Sequence, residues 1–339
     1  MYLIELKFYC NNIFCSAMII TKIKKIQNCS KVILLMGPTA SGKTDLAMLL
    51  SRILPIEIIS VDSALIYRYM DIGTAKPSLQ NLSEVPHRLI NIKDPAECYS
   101  VVEFCQDALQ AMEEIINKGK IPFLVGGAMF YFHALLSGGF PRLPSCKPEV
   151  RLYIAKKAKK IGWDMMYKKL ERIDKFSADR IHPNDTQRIS RALEIFFISG
   201  KTLTELNKFF LKINLLKKYQ VYKFVIMPFD KIVLHKYIER RFYKMLSLGF
   251  EKEVRFLFSR GDLYQNMPSI RCVGYRQMWL YLLGKIQYNE MIFQGICATK
   301  KLAKRQITWL RKWKDVHYLN SDNIFLSCEK ILKVINENR

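Results

Sequence analysis

Several features that would set this chain apart from an ordinary folded protein are missing. Its nine cysteines are Cys10, Cys15, Cys29, Cys98, Cys105, Cys146, Cys272, Cys297 and Cys328. They are odd in number, scattered, and never spaced as CxxC. Such a pattern gives no disulfide framework and no zinc site, so a reducing, cytoplasmic setting is the default expectation. The five histidines show no metal-ligand spacing either. Long apolar runs are also lacking. The stretch from Phe8 to Ile20 is broken by Asn11 and Asn12, well short of the ~20 apolar residues of a membrane span. Only Lys7 stands before it, without the basic start of a signal peptide. Residues 1–30 read as a disordered extension, or as an over-long start with Met18 as the initiator. There is no internal repeat and no low-complexity tract.

Acidic residues are the other scarcity: 30 Asp and Glu stand against 54 Lys and Arg, a net charge of +24. The imbalance is local. Residues 1–30 carry four basic and one acidic residue, residues 31–140 nine and eleven, and residues 141–339 the remaining 41 and 18. A coding bias toward Lys would not leave residues 31–140 slightly acidic. The excess in the second part suits a polyanion such as nucleic acid, because each neutralised phosphate releases counterions. With half its residues hydrophobic and 25% charged, the chain has material for a sizeable core and the balance of a globular protein.

What is present begins with KVILLM (31–36), a β-branched apolar run that reads as a buried strand, followed by a Gly/Pro turn and a helix over Thr44–Leu54. IEIISV (56–61) is a second buried strand ending at Asp62. Ser100 and Glu103 form a capping box that opens a helix to about Lys118, and Ile121–Val125 is a third strand ending at Gly126 and Gly127. The alternation argues for an α/β fold with a parallel sheet. PRLPSCKP (141–148) reads as a linker into a basic helical stretch reaching about Lys218. VYKFVIM (221–227) returns to a strand, and long basic helices follow, among them His235–Leu248 and Thr299–Trp313. Ala303, Ile307, Leu310 and Trp313 form one apolar stripe on the last, which reads as core, with Lys300, Lys301, Lys304 and Lys312 facing solvent.

GPTASGKT (37–44) fits GxxxxGK[ST] in the strand–turn–helix context that a P-loop requires. Gly37 and Gly42 permit backbone conformations that turn successive N–H groups inward, the helix N-terminus adds partial positive charge, Lys43 brings a full charge to phosphates, and the Thr44 hydroxyl can ligate Mg²⁺. The loop specifies phosphates but not whose: a nucleotide such as ATP or another diphosphate. Asp62, at the carboxyl end of the next strand, stands where open α/β sheets place ligands. Its role is open between general base, metal partner and cap. DIGTAKP (71–77) reads as a loop near the P-loop. The Gly126–Gly127 pair permits close backbone approach, a feature that packing alone also explains. Arg188 and Arg191 lie three apart on a helix capped by Asn184 or Asp185, either as a nucleic-acid contact or as a solvated face. RCVGYR (271–276) sets two arginines around a Gly and a Tyr, a loop suited to phosphate and base contact.

Taken together, residues 31–317 resemble the tRNA dimethylallyltransferases, also called tRNA isopentenyltransferases. The resemblance is carried in order by GPTASGKT (37–44), VDSALIYRYMDIGTAKP (61–77), PHRLINI (86–92), LVGGAMFYF (124–132), IHPNDTQRISRALEIF (181–196), FFISGKTLTEL (196–206), GFEKEVRFLF (249–258), PSIRCVGYRQMW (268–279) and KRQITWLRKW (304–313). It implies a P-loop NTPase-like parallel sheet core over 31–140, a tRNA-binding helical insertion over 141–220, and a continuation of the core with basic helices over 221–339. It implies a monomer off the membrane that transfers a dimethylallyl group from dimethylallyl diphosphate, with Mg²⁺, to N6 of the adenosine 3′-adjacent to the tRNA anticodon. Asp62 would be the general base. Gly37, Pro38, Thr39, Ala40, Ser41, Gly42, Lys43 and Thr44 would form the diphosphate cradle, with Lys43 and Arg241 catalytic. The tRNA would be met by Asp62, Ser63, Ala64 and Leu65, by Gln187, Arg188, Ile189, Ser190 and Arg191, by Arg271, Cys272, Val273, Gly274, Tyr275 and Arg276, and by Arg151. Ala128 would be a further point of contact with the tRNA; close relatives have Thr there, whose hydroxyl this chain lacks. The stretch between Leu206 and Tyr219 matches poorly. Two other readings share parts of this pattern: a small-molecule kinase, which needs no basic second region, and a non-catalytic RNA-binding protein with a relict P-loop, against which the intact Lys43–Thr44 pair beside Asp62 counts.

Overall fold

The structure, a computed structural model, describes residues 31–137, 143–144, 147–208 and 218–337. The N-terminal extension, half of the linker and most of the poorly matching segment before Tyr219 lie outside the described residues. Two compact units are present: one from the described residues of Met1–Glu97, Gln106–Met129 and Lys217–Arg339, the other from those of Cys98–Cys105 and Phe130–Leu216.

In the first half of the chain β1 (Lys31–Met36) and β2 (Ile56–Val61) are buried at every position, as suits a parallel sheet covered on both faces. Even Lys31 is buried; its ammonium donates to the carbonyl of Ile335 at 3.1 Å. Between them runs α1 (Lys43–Ser51). After α2 (Leu79–Glu84) and the two-residue β3 (His87–Arg88) comes α3 (Val101–Asn117). The expected capping box opens it: the amide of Ser100 donates to Glu103 at 2.8 Å and that of Glu103 to Ser100 Oγ at 3.2 Å. β4 (Ile121–Gly126) and α4 (Met129–Leu136) complete this half.

The helical stretch then runs α5 (Pro148–Ile161), α6 (Trp163–Ile173), α7 (Lys175–Ala178), α8 (Thr186–Ser199) and α9 (Leu203–Leu206). These helices close on their own core of Ile154, Met166, Leu170, Ile189 and Leu193. The chain returns through β5 (Gln220–Met227), α10 (Lys231–Ser247), α11 (Phe250–Ser259), α12 (Tyr275–Leu282), α13 (Tyr288–Leu310), β6 (His317–Asn320) and α14 (Ile324–Glu337).

The strands form one parallel sheet in the order β3-β2-β4-β1-β5-β6. Its short edge strands β3 and β6 carry too few residues to announce themselves as apolar runs. One side of the sheet is covered by α1 and α14, whose Leu46, Leu50, Ile331 and Ile335 share a core with Ile33, Leu35, Phe123 and Phe224. Register decides what happens at the strand ends. Gly126 pairs with both Met36 of β1 and Val61 of β2, so Gly37, Gly127 and Asp62 leave the sheet side by side. A Cβ on Gly126 would fall on the Val61 carbonyl. Close backbone approach at this Gly is therefore a requirement of the three strand ends meeting.

Candidate active site

The P-loop follows β1 as expected, and its tight turn needs left-handed backbone at two places: Gly42, at φ 77°, and Ala40, at φ 62°. Glycine tolerates this conformation freely; alanine holds it at some cost. Ala40 is kept there by packing, since it lies against Leu234, Ile238 and Ala303 of α10 and α13. Gly37 is confined as well, because a Cβ there would strike the Ile226 carbonyl of β5 and crowd Ser41 Oγ. Pro38 is buried with it, Thr39 half-buried.

Polar groups in the loop are arranged for an anion. Lys43 Nζ donates to the carbonyls of Gly37 at 3.0 Å and Pro38 at 2.6 Å, which folds the side chain back over the loop. Ser41 Oγ is buried and has no hydrogen-bond partner among the described residues. Thr44 is exposed, at the start of α1. Among the described residues no group of three or more His, Cys, Asp or Glu side chains could hold a metal. The polar donors at the loop are hydroxyls and amides: Ser41 and Thr44 side chains beside the N-terminus of α1.

The electrostatics bring together residues far apart in sequence. Lys43 is pushed down to about 7, first by burial and next by the charge of Arg241, with Asp62 acting in the opposite direction. Arg241, from the middle of α10, is likewise lowered by burial and sustained by Asp62. Its guanidinium donates through Nη2 to the Thr74 carbonyl at 3.1 Å. Two cations and one carboxylate thus share a poorly hydrated region at the carboxyl ends of β1 and β2, where an anion would neutralise the excess positive charge.

Asp62 fulfils the capping role and leaves room for the catalytic one. Its Oδ1 accepts from the amides of Ala64 at 2.8 Å and Leu65 at 3.4 Å. Oδ2 has no hydrogen bond among the described residues, and the side chain is half-buried. Ser63 beside it is exposed, Ala64 and Leu65 half-buried. Ala128 is half-buried too, and its amide donates to the Val61 carbonyl at 3.1 Å.

Gln306 of α13, in the KRQITWLRKW stretch, ties two of these pieces together. Its Oε1 accepts from the Thr39 amide at 2.9 Å, and its Nε2 donates to the Gly127 carbonyl at 2.9 Å. A Cβ on Gly127 would collide with that Nε2, so this Gly is needed for the bridge. The sequence signal was only a Gln on the α13 face that also carries Ala303 and Leu310.

The RNA-contact residues expected from the resemblance fall into two groups. Arg271 and Arg276 are exposed on either side of Gly274, while Cys272 and Val273 are half-buried. The side chain of Tyr275, by contrast, is fully buried, with its hydroxyl on Glu253, so it is not available for RNA. In the helical unit Gln187 and Arg188 are exposed and Ser190 is half-buried, but Ile189 is fully buried in the helical core and is likewise unavailable. Asp185, of the two candidate caps, is the one that accepts from the Arg188 amide, at 3.1 Å. Arg188 pairs only at the surface, with Asp185 at 3.2 Å. Arg191 is tied inward: Nη1 donates to Glu194 at 2.8 Å and Nη2 to the Pro144 carbonyl at 2.8 Å. Arg151 reaches the same carboxylate at 3.0 Å. Glu194 is only 1% exposed, so Arg151 and Arg191 neutralise a buried charge whatever else they do.

A P-loop on a parallel sheet, with two cations beside a half-buried carboxylate, has the make-up of a phosphate-handling enzyme. Comparison with known proteins gives the family. The IPP transferase family model matches residues 65–313, and the chain belongs to that family of prenyl-transferring enzymes. Among solved structures, the full-length tRNA isopentenylpyrophosphate transferase from Bacillus halodurans is 32% identical, over 91% of this chain and 96% of that one, with a TM-score of 0.65. The tRNA delta(2)-isopentenylpyrophosphate transferase from Staphylococcus epidermidis is 28% identical over 91% and 100%, TM-score 0.65. A eukaryotic dimethylallyltransferase acting on tRNA is 26% identical over 86% and 74%, TM-score 0.71. The parallel α/β fold expected from the sequence is therefore the fold of these enzymes, and the kinase and relict-loop readings fall away. No helix among the described residues is long and apolar enough to cross a membrane.

Two outcomes are expected. At pH 8 an ammonium whose pKa has fallen to about 7 is largely neutral, and an arriving diphosphate should recharge it. Calorimetry in buffers of different ionisation enthalpy should then show uptake of up to about one proton more by the wild type than by Lys43→Met. At pH 6, where Lys43 is already charged, the difference should vanish; equal uptake by the two proteins at pH 8 would contradict the assignment. In thermal melts Arg191→Ala should lower Tm, because a hydrogen bond to a buried charge contributes about 1.5–3 kcal/mol, reduced here by the partial exposure of Arg191 and the remaining Arg151. Arg188→Ala should leave Tm within about a degree, as for an exposed pair. A reversed order would show that Arg188 holds the helix.

Proposed function

We propose that this enzyme transfers the dimethylallyl group of dimethylallyl diphosphate to N6 of the adenosine immediately 3′ of the anticodon in tRNA, giving N6-(dimethylallyl)adenosine and diphosphate. The observation that carries the reading is the convergence of Lys43, Arg241 and Asp62 beside the P-loop. The family supports prenyl transfer to tRNA, and the chemistry of the site fits each part of that reaction.

Breaking the allylic C1–O bond leaves positive charge on carbon and negative charge on the departing diphosphate. Amides of Thr39–Thr44, the Lys43 ammonium and the Arg241 guanidinium stabilise that developing negative charge, and partial burial of the two cations strengthens the effect. A divalent cation, which we take to be Mg²⁺, would be held by Thr44 and would add Lewis-acid neutralisation of the diphosphate. The N6 lone pair of adenine is delocalised, and its proton is too weakly acidic for a carboxylate to remove in advance. Asp62 therefore first accepts a hydrogen bond from N6, through the oxygen not used for capping. It takes the proton as the N6–C1 bond forms, and later releases it to solvent. The adenine has to leave its stack to reach the carboxylate. Exposed Gln187 and Arg188 on the helical unit and exposed Arg271 and Arg276 on the sheet unit are the RNA contacts, with the enzyme acting as a cytoplasmic monomer.

Asp62→Asn separates the two roles of this residue. Asn caps about as well as Asp, so Tm and substrate binding should hold. It cannot take the proton, and base catalysis contributes about 10²–10⁴-fold, so the single-turnover rate with both substrates saturating should fall by roughly that factor. A mutant within a few-fold of wild type would remove Asp62 from the mechanism.

A further inference from the structure

Arg241 can stabilise a leaving diphosphate only if its guanidinium is held at one place, and what holds it is a loop. Its hydrogen bond runs to the carbonyl of Thr74, within the Asp71–Pro77 segment. That segment is backbone without regular structure, so tethers from outside it matter to its position. One of them is a carboxylate in the first turn of α11. Glu253 Oε2 accepts from the amides of Asp71 at 2.8 Å and Ile72 at 2.7 Å, and Oε1 from the amide of Gly73 at 3.1 Å. Oε1 also accepts from the hydroxyl of Tyr275 at 2.5 Å. Three consecutive amides and one phenol thus converge on one side chain.

The surroundings make this lock stiff. Tyr275 is fully buried and packs edge-on against Phe250 at 5.1 Å between ring centroids. Burial, and next the Glu253 carboxylate, push its phenol well above the ordinary value, so it stays a donor. Gly73 lies so close to these two rings that a Cβ would overlap Phe250 and Tyr275. On the far side of the segment Lys76 Nζ donates to the Tyr67 carbonyl at 2.8 Å, to Asp71 Oδ1 at 2.6 Å and to Asn91 Oδ1 at 2.6 Å. Thr74 Oγ1 donates to the Met70 carbonyl at 2.7 Å. The next link outward from Thr74 is Arg241.

We propose that Glu253, with Tyr275 as its partner, is a positioning residue for the transfer reaction: it fixes the Asp71–Thr74 backbone and through the Thr74 carbonyl aims Arg241 at the leaving diphosphate. The inference rests on the reading that Arg241 stabilises that leaving group. Glu253 and Tyr275 then act on the chemical step and not on RNA affinity.

A mutant cycle tests this. Single-turnover rates are measured with saturating dimethylallyl diphosphate and tRNA for wild type, Glu253→Gln, Arg241→Ala and the double variant, alongside tRNA Kd and Tm. Gln offers one acceptor oxygen where Glu offers two, so the loop should loosen. One pre-organised donor to a developing anion is worth about 10²–10³-fold, and misplacing it should forfeit at least about tenfold of that. In the Arg241→Ala background the same substitution should cost less than twofold, because residues acting through one another are non-additive. The tRNA Kd should stay within about twofold throughout. Equal losses in both backgrounds would overturn the inference while leaving Arg241 in its role. An Arg241→Ala rate within a few-fold of wild type would overturn the reading beneath it. Should Glu253→Gln fail to fold, Tyr275→Phe, which removes one hydroxyl, is read by the same criteria. Wild-type rates for that variant would equally count against the proposal.

Discussion

Two cations that repel each other are held together in a half-buried site, and much of the sheet unit is organised around keeping them there. Lys43 and Arg241 come from helices nearly two hundred residues apart, yet each depresses or feels the field of the same small region. In a medium of reduced dielectric that confrontation is costly unless an anion arrives, and Asp62 alone offsets only part of it. Carbonyls hold both side chains in the meantime: Gly37 and Pro38 for the lysine, Thr74 for the arginine. In the proposed reaction a diphosphate would replace those weak acceptors with full charges, and a leaving diphosphate would gain more from them than one still esterified.

The constraint reaches back into the backbone. Strands β1, β2 and β4 end level with one another because Gly126 pairs with both Met36 and Val61. That register is what puts the P-loop next to Asp62. Gln306 then bridges the Thr39 amide and the Gly127 carbonyl, and Ala40 is wedged on α10 and α13. The helix that carries Arg241 therefore also packs against the loop that leads into Lys43. The helical unit is built on a different economy of charge: a buried Glu194 takes Arg151 and Arg191, leaving Arg188 and Gln187 at the surface.

How much of this was legible in the sequence depends on the distance over which each feature acts. GPTASGKT between an apolar run and a helix, the Ser100–Glu103 capping box and the buried strands β1, β2 and β4 are all local, and each stands where its residues placed it. The edge strands β3 and β6 escaped because two or four residues carry no periodicity. Arg191 was read with Arg188 from helical spacing; spacing gives the face of a helix but not the buried carboxylate that faces it. Tyr275 stood between two exposed arginines and shared their expected role until packing put its ring against Phe250. Gln306 and Glu253 were invisible for the same reason: each reaches a backbone more than a hundred residues away, where no pattern along the chain records the pairing.

In the proposed reaction the P-loop serves an alkyl diphosphate and not a nucleotide. The purified chain should be incubated with unmodified tRNA, dimethylallyl diphosphate and Mg²⁺, with no ATP present, and the nucleosides of the digested tRNA resolved by mass spectrometry. One dimethylallyl group should be added to an adenosine, located by fragment mapping immediately 3′ of the anticodon. Product that formed only with added ATP, or the absence of any prenylated adenosine from a folded preparation that binds both substrates, would contradict it.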